Sequence, residues 1–483
     1  MQQADIGLIG LAVMGQNLVL NLNDHGFSVA VYNRTQSKVQ EFLAGDAKGR
    51  AIFGASSYAD LVSMLKPPRR VMLLIKAGRA VDEAIKALIQ ELDLGDIIID
   101  GGNSYFKDSI RRTAYVESTG LRYIGTGVSG GELGARHGPS IMPGGTVSAW
   151  PFVEPLFKAI AARLPDGSVC CEWMGSDGAG HFVKMVHNGI EYAYMQLISE
   201  TYAVMQDVLH LSADDMAAVF KQWNSGRLSS YLVEITAGIL AFKDADGQPL
   251  VEKIRDSAGQ KGTGRWTAQT ALELGIPVTL ITDAVYWRLL SALRGERQRA
   301  STQLTGPARL ETMPSQELIT HLEAALYAAE IIAYAQGYML FSRAAQEFKW
   351  SLDFSAIARI WRKGCIIRSA LLGVISSAYA RIPVPENLML APGFREELNE
   401  AQLSLRRVVS AAVERGVPVP AFSSALAFYD GYRSPRLATN LLQAQRDYFG
   451  AHTYEREDAP DGQFFHTDWT GQGRDVSATS YNA

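Results

Sequence analysis

The chain has 483 residues, 47% of them hydrophobic and 20% charged, enough apolar content for sizeable cores in roughly two to four domains. A net charge of -4, with basic and acidic residues interspersed, argues against general binding of nucleic acid or an anionic membrane and leaves room for a local basic pocket. Cys170, Cys171 and Cys365 form neither a disulfide framework nor a metal-ligand spacing, no basic region precedes the first apolar strand, and no apolar run approaches ~20 residues, so a metal-free cytoplasmic protein is expected.

Asp5 to Ile9 reads as a short buried strand, followed by Gly10-Leu11-Ala12-Val13-Met14-Gly15 and a helical pattern ending near Gly26. Strand, glycine turn and helix in that order make the dinucleotide fingerprint, in which the backbone approaches a pyrophosphate at the helix N-terminus. Ala12 takes the place of the middle glycine and is its smallest substitute. A second strand, Ser28 to Tyr32, runs into Asn33-Arg34-Thr35. NAD enzymes place an acidic residue about 20 positions past the glycines to bind the ribose hydroxyl. Here Arg34 stands there, and its fork suits a 2′-phosphate, which favours NADP; an ordinary surface cation is the bland alternative.

Further strands at Val71 to Ile75, Ile97 to Asp100 and Arg122 to Thr126, with helices such as Val81 to Leu92 between them, predict a Rossmann-like, doubly wound parallel sheet. Ligands bind beyond the carboxyl ends of such strands, where the loops Lys76-Ala77-Gly78, Gly101-Gly102-Asn103-Ser104 and Ser129-Gly130-Gly131 fall in register. Past Gly178 strand signals end, and a large all-α domain is expected, with Trp223-Asn-Ser-Gly226 and Trp361-Arg-Lys-Gly364 as either a faint repeat or a coincidence. The expected division is 1–178 for the nucleotide domain, 179–442 for the helical domain and 443–483 for a tail without helical periodicity that reaches a neighbouring subunit.

The most informative stretch is Gly180 to Tyr192. On a helix, Lys184, His187, Asn188 and Glu191 share one face at i, i+3, i+4 and i+7, while Val183, Met185, Val186 and Ile190 fill most of the rest. Polar groups set into an apolar helix line a cleft or brace two packed helices, and the stretch alone leaves both open. Gly259-Gln260-Lys261-Gly262-Thr263-Gly264 reads as a flexible loop carrying a cation, a nest for an anion or a mobile connector. Arg288, between Trp287 and Leu289 in a helix that otherwise reads as buried, meets an anion or a structural carboxylate.

Together these segments resemble the decarboxylating 6-phosphogluconate dehydrogenases of the long, dimeric type. The resemblance runs through Gly10 to Gly15, Asn33 to Thr35, Ile75 to Gly78, Gly127 to Gly131, Gly138 to Gly145, Lys184 to Glu191, Gly259 to Gly264 and Arg446 to His452. It implies NADP held by Gly10, Leu11, Ala12, Val13, Met14, Gly15, Asn33, Arg34, Thr35, Ile75, Lys76, Ala77 and Asn103. It implies 6-phosphogluconate held by Asn103, Ser129, Gly130, Gly131, His187, Asn188, Tyr192, Lys261 and Arg288, with Arg446 and His452 supplied by the tail of a homodimeric partner. Leu133, Ala193, Tyr194, Arg265 and Trp287 depart from the usual pattern without removing a matched functional group.

The implied reaction, from the oxidative pentose phosphate pathway, oxidises the C3 hydroxyl, releases CO2 and yields ribulose 5-phosphate. Lys184 would be general base and then acid, its pKa lowered by burial and by a nearby cation such as Lys261; Glu191 would protonate C1. Two rivals are a β-hydroxyacid dehydrogenase for a small unphosphorylated acid and a non-catalytic NADPH sensor. The cationic set and long tail speak against the first, the intact Lys184 and Glu191 against the second.

Overall fold

The structure, a computed structural model, describes residues 3–307 and 315–471; the last part of the expected tail, 472–483, lies outside the described residues. Its first part alternates strands and helices: β1 (Ile6–Ile9), α1 (Val13–Asp24), β2 (Val29–Tyr32), α2 (Gln36–Ala44), β3 (Ile52–Gly54), α3 (Tyr58–Ser63), β4 (Arg70–Leu73), α4 (Arg79–Ile89), β5 (Ile97–Asp100), α5 (Phe106–Glu117), β6 (Arg122–Ser129), α6 (Gly131–His137), β7 (Ser140–Gly145) and α7 (Trp150–Ile160). The strands form one sheet in the order β3-β2-β1-β4-β5-β6-β7.

Each strand is apolar on both faces because helices cover both. Successive residues feed opposite cores: Leu8, Val31, Met72 and Ile99 join one cluster, and Ile9, Ala30, Leu73 and Ile98 the other. All pairings are parallel except that of β7 with β6, where Ile124 faces Gly145 and Ser129 faces Ser140. The expected all-parallel sheet therefore gains an antiparallel edge. Its sequence, Ser-Ile-Met-Pro-Gly-Gly, hides a strand behind turn-forming residues. The short β3, with glycine and little apolar run, also escaped the sequence reading.

Helices follow: α8 (Ala179–Asp207), α9 (Ala213–Trp223), α10 (Tyr231–Ala241), α11 (Thr263–Glu273), α12 (Thr279–Ala292), α13 (Arg294–Ala300), α14 (Ser315–Phe348), α15 (Phe354–Ile360), α16 (Leu371–Tyr379), α17 (Phe394–Glu414), α18 (Pro420–Tyr432) and α19 (Thr439–Gly450). The two Trp-x-x-Gly stretches hold the same place in a repeated order. Each follows a long helix and a short one, α8 with α9 and α14 with α15, and the chains after them meet at an antiparallel bridge between Ser230 and Ser369.

By length and mean composition α14 could cross a membrane, although Glu323, Glu330, Gln336 and Arg343 interrupt its apolar sequence. Its apolar side chains are instead buried, and it packs against α8 and α17.

Packing groups the chain into two compact units, Met1–Ala425 and Leu426–Ala483. Within the first, the helical part joins the sheet through α8, whose first turns lie on β6 and β7 so closely that a Cβ on Gly180 would stand 2.4 Å from Gly125 O and 2.5 Å from Met142 O. The last unit is more regular than its composition suggests, since α19 runs through Arg446 to Gly450. A two-stranded hairpin of β8 (Tyr454–Glu455) and β9 (Phe464–Phe465) follows. The fully buried Asp447 ties this unit together, accepting from Thr453 N, His466 Nδ1, Thr467 N and Trp469 Nε1 at 2.9 to 3.1 Å.

Gly180→Ala is expected to destabilise Met1–Ala425 by about 3 kcal/mol, because backbone lies on the side where the methyl must go. A denaturant titration against wild type checks it, and an unchanged midpoint would contradict the close approach.

Candidate active site

A cleft of about 800 Å³ opens at the carboxyl ends of β1, β2, β4 and β5. Its floor is the turn from Gly10 to Gly15, where Gly10 has φ +109° and a Cβ would meet Leu74 O at 2.4 Å. The third glycine is equally constrained, since a Cβ on Gly15 would stand 1.9 Å from Gly10 O. Ala12 caps α1 without a side-chain hydrogen bond, so the first-turn N–H groups are left for an anion.

Asn33 fixes the turn by accepting from Leu11 N at 3.1 Å. Arg34 is exposed at the cleft wall, and Lys38, in the first turn of α2, lines the same cleft. A second cation soon after Arg34, at the start of the next helical pattern, is the signal that could have found Lys38 from sequence. Ala12 to Gly15, Asn33 to Thr35, Ile75, Lys76 and Asn103 line this cleft with Gly10. Leu11 and Ala77 do not: the Leu11 side chain is 1% exposed and belongs to the core under α1.

The polar stripe on α8 lies under Ser129 at the end of β6. Lys184 is 7% exposed, His187 fully buried, Asn188 and Glu191 half-buried. Gly127 makes room for the lysine, since a Cβ there would stand 2.3 Å from Lys184 Cβ. Lys184 Nζ donates to Asn188 Oδ1 at 2.5 Å and to Ser129 Oγ at 3.4 Å. Asn188 Oδ1 only accepts, so at 3.1 Å His187 carries its proton on Nδ1 and its Nε2 accepts from Ser129 Oγ at 3.3 Å. Asn188 Nδ2 donates to Thr263 Oγ1 at 2.9 Å. Thr263, which the sequence reading missed, opens α11 directly after Gly262 at φ +99°; a glycine just before a helical pattern was the available signal.

Burial sets the protonation of the stripe. It pushes Lys184 below its ordinary value against the pull of Glu191, and raises Glu191 against the pull of Lys184 and Arg288. Burial, reinforced by Lys184, also holds His187 well below its usual range, so the 3.7 Å approach of His187 to Glu191 is not an ion pair at neutral pH. Lys261 contributes nothing to the lowering of Lys184; it is exposed, which corrects the expectation that it would act as the nearby cation.

Arg288 lies over the Tyr192 ring, 3.5 Å from its centre, and donates to Gly259 O at 3.1 Å, fastening the 259–264 loop to α8. It is half-buried, and the expectation of a buried helix around it fails: Tyr286, Leu289 and Leu290 beside it on α12 are exposed.

Gly130, at φ +121°, abuts Gly364 of the second Trp-x-x-Gly stretch, whose Trp361 packs edge-on against His187 at 5.3 Å; Gly131 is exposed. Arg446 and His452 belong to the separate Leu426–Ala483 unit. There Arg446 donates to Gln443 Oε1 at 3.0 Å, and His452 Nδ1 is buried without a hydrogen-bond partner among the described residues.

A buried amine without an ion-paired carboxylate among the described residues is held at a cost to stability. Lys184→Met keeps the stem and is expected to stabilise the protein by about 1 kcal/mol in a denaturant titration. Marked destabilisation would instead identify Lys184 as a structural brace.

Two family models cover the chain. The NAD binding domain of 6-phosphogluconate dehydrogenase matches residues 5–175, and the 6-phosphogluconate dehydrogenase C-terminal domain matches residues 180–469. The decarboxylating 6-phosphogluconate dehydrogenases of Rattus norvegicus and Homo sapiens are 57% and 56% identical over 484 residues, covering 100% of this chain and of each relative. A solved structure of the Plasmodium falciparum 6-phosphogluconate dehydrogenase is 43% identical, with TM-score 0.92 over 96% of this chain and 100% of its own. That protein is described in apo form, with its cofactor NADP+ and with its substrate 6-phosphogluconate. Matched in sequence from end to end and in fold over nearly its whole length, the chain belongs to the 6-phosphogluconate dehydrogenase family.

Proposed function

We propose that the chain catalyses the NADP-dependent oxidative decarboxylation of 6-phosphogluconate to ribulose 5-phosphate, CO2 and NADPH. The observation that carries this reading is the pair on α8, Lys184 and Glu191, whose shared enclosure favours the neutral amine and the neutral acid. The cleft fits the dinucleotide. Gly10 to Gly15 and the uncapped start of α1 would hold the pyrophosphate, and Arg34 with Lys38 the 2′-phosphate.

NADP, when bound, accepts the hydride released from C3. Lys184, as the amine, takes the proton of the C3 hydroxyl. As the ammonium that results, it donates to the new ketone oxygen and stabilises the electrons left when CO2 departs from C1. Glu191, whose pKa burial raises, delivers a proton to C1 of the enediol. Ser129, His187 and Asn188 hold the lysine and the sugar chain still. Lys261 and Arg288 provide positive charge for the phosphate, and the supporting signs are their matched motifs and the location of Arg288 over Tyr192 beside the stripe.

The working unit on this reading is a homodimer with functional divisions at 1–178, 179–442 and 443–483, the tail bringing Arg446 and His452 to the partner's site. The knot around Asp447, which gives the tail a fold of its own, supports it. Three free, buried cysteines suit the cytoplasm.

The purified chain is expected to release CO2 and form NADPH in equal amounts from 6-phosphogluconate, and absence of turnover at saturating substrates would overturn the function. Lys184→Ala is expected to lower turnover by about 10³-fold while leaving the NADP Kd within about twofold; near-normal turnover would remove the lysine as base. Arg34→Asp is expected to raise the NADP Kd by about tenfold or more through repulsion of the 2′-phosphate, and an unchanged Kd would refute that contact.

A further inference from the structure

Behind the cofactor cleft lies a polar cluster that the proposed chemistry does not use. Asp100, Ser104, Ser109, Arg112, Tyr123 and His181 are each at most 4% exposed. Charges so enclosed are costly unless their protons and lone pairs find partners, and here they do. Arg112 Nη1 donates to Asp100 Oδ2 and to Ser104 Oγ, both at 3.2 Å, while its Nη2 donates to Gly78 O at 3.0 Å and its Nε to Asp82 Oδ1 at 2.8 Å. Asp100 also accepts from Ser104 Oγ at 2.6 Å, Tyr123 OH at 3.1 Å and Gly102 N at 3.1 Å. One guanidinium therefore grips two neighbouring loops, 75–78 through Gly78 and 101–104 through Ser104.

His181 extends this cluster to the first turn of α8. Gly102 O can only accept, so at 3.1 Å the imidazole carries its proton on Nε2, and Nδ1 accepts from Ser109 Oγ at 2.6 Å. Burial lowers the pKa of the ring, in keeping with this single neutral form. The fit is close on the other side too, since a Cβ on Gly125 would stand 2.8 Å from Nδ1. Gly102 precedes Asn103, which lines the cleft, and His181 lies three residues before Lys184 on the same rigid helix.

We infer that His181 is a positioning residue: its Nε2–H to Gly102 O sets the separation between the loop that presents Asn103 and the helix that presents Lys184. The two sides of the reaction come from different elements, and this bond is the direct polar tie from the loop to the helix among the described residues. Displacement of about 1 Å between reacting groups costs up to ~10²-fold in rate, so a single bond at this place is felt in turnover.

The inference rests on the proposed reaction, and two substitutions separate it from a merely structural role. His181→Asn keeps a polar group near Nδ1 but leaves Gly102 O without its donor; His181→Gln returns an amide N–H to the place of Nε2. With NADP and 6-phosphogluconate, His181→Asn is expected to lower kcat by about tenfold while the NADP Kd and substrate KM stay within about twofold. Its deuterium isotope effect with substrate labelled at C3 should increase, and His181→Gln should recover kcat to within about threefold. Wild-type kcat and isotope effect in His181→Asn would overturn the inference. So would equal impairment of both variants when both unfold thermally as wild type does.

If wild type itself fails to turn over 6-phosphogluconate, the functional reading falls while the positional tie is still read by amide hydrogen exchange. Exchange across Gly101 to Ser104 should quicken by about tenfold in His181→Asn but not in His181→Gln. Unchanged exchange in His181→Asn would sink the tie independently of the chemistry.

Discussion

The structure depends on one close approach, that of the α8 backbone to β6 and β7. A helix ordinarily stands about 10 Å from a sheet because side chains fill the gap. Here Gly125, Gly127, Gly144 and Gly180 clear that gap, each meeting atoms of the opposing element within 3 Å of where its Cβ would be. The space gained is filled by the His181 ring and the Lys184 stem, which brings a lysine amine up to the strand end at Ser129. Without the glycines the lysine would have to leave the sheet, and the cleft and the stripe would no longer adjoin.

Burial then does the electrostatic work. Each unit of pKa shift corresponds to about 1.4 kcal/mol between protonation states, so moving an amine down and a carboxyl up draws on the folding energy of the whole unit. Asn188 accepts the lysine's hydrogen bond without supplying a counter-charge, and this keeps the lowering that a carboxylate at the same place would reverse. Under the proposed reaction the amine and the acid are both wanted in their neutral forms, and enclosure favours both at once. The cluster around Asp100 follows the opposite logic. There a guanidinium and a carboxylate are paired directly and serve to hold backbone in place.

Much of this was legible in the chain. The alternation of Ile-Ile-Ile-Asp and similar runs with helical patterns pointed to a doubly wound sheet, and the i, i+3, i+4, i+7 spacing placed Lys184, His187, Asn188 and Glu191 on one face. The errors have physical causes. β7 contains Pro-Gly-Gly and reads as a turn, yet it forms a ladder because β6 offers an edge. α19 was hidden because Asp447, with its ring of donors, makes a structured unit out of a sequence poor in apolar residues. Lys261 was given an influence on Lys184 that its exposure denies it.

By itself the sequence determined local matters: most of the strands and helices of the nucleotide-binding part, where the phosphate-binding turn lies, and which residue types a dehydrogenase of this family would need. Those depend on periodicity and on the backbone freedom of glycine, which are properties of neighbours along the chain. Only the tertiary structure decided which carbonyl His181 meets, why the pKa of Lys184 is lowered by desolvation and not by Lys261, and how Arg112 joins two loops separated by more than twenty residues. Those are properties of distance in space, and desolvation in particular is set by everything packed around a group, which no short stretch of sequence contains.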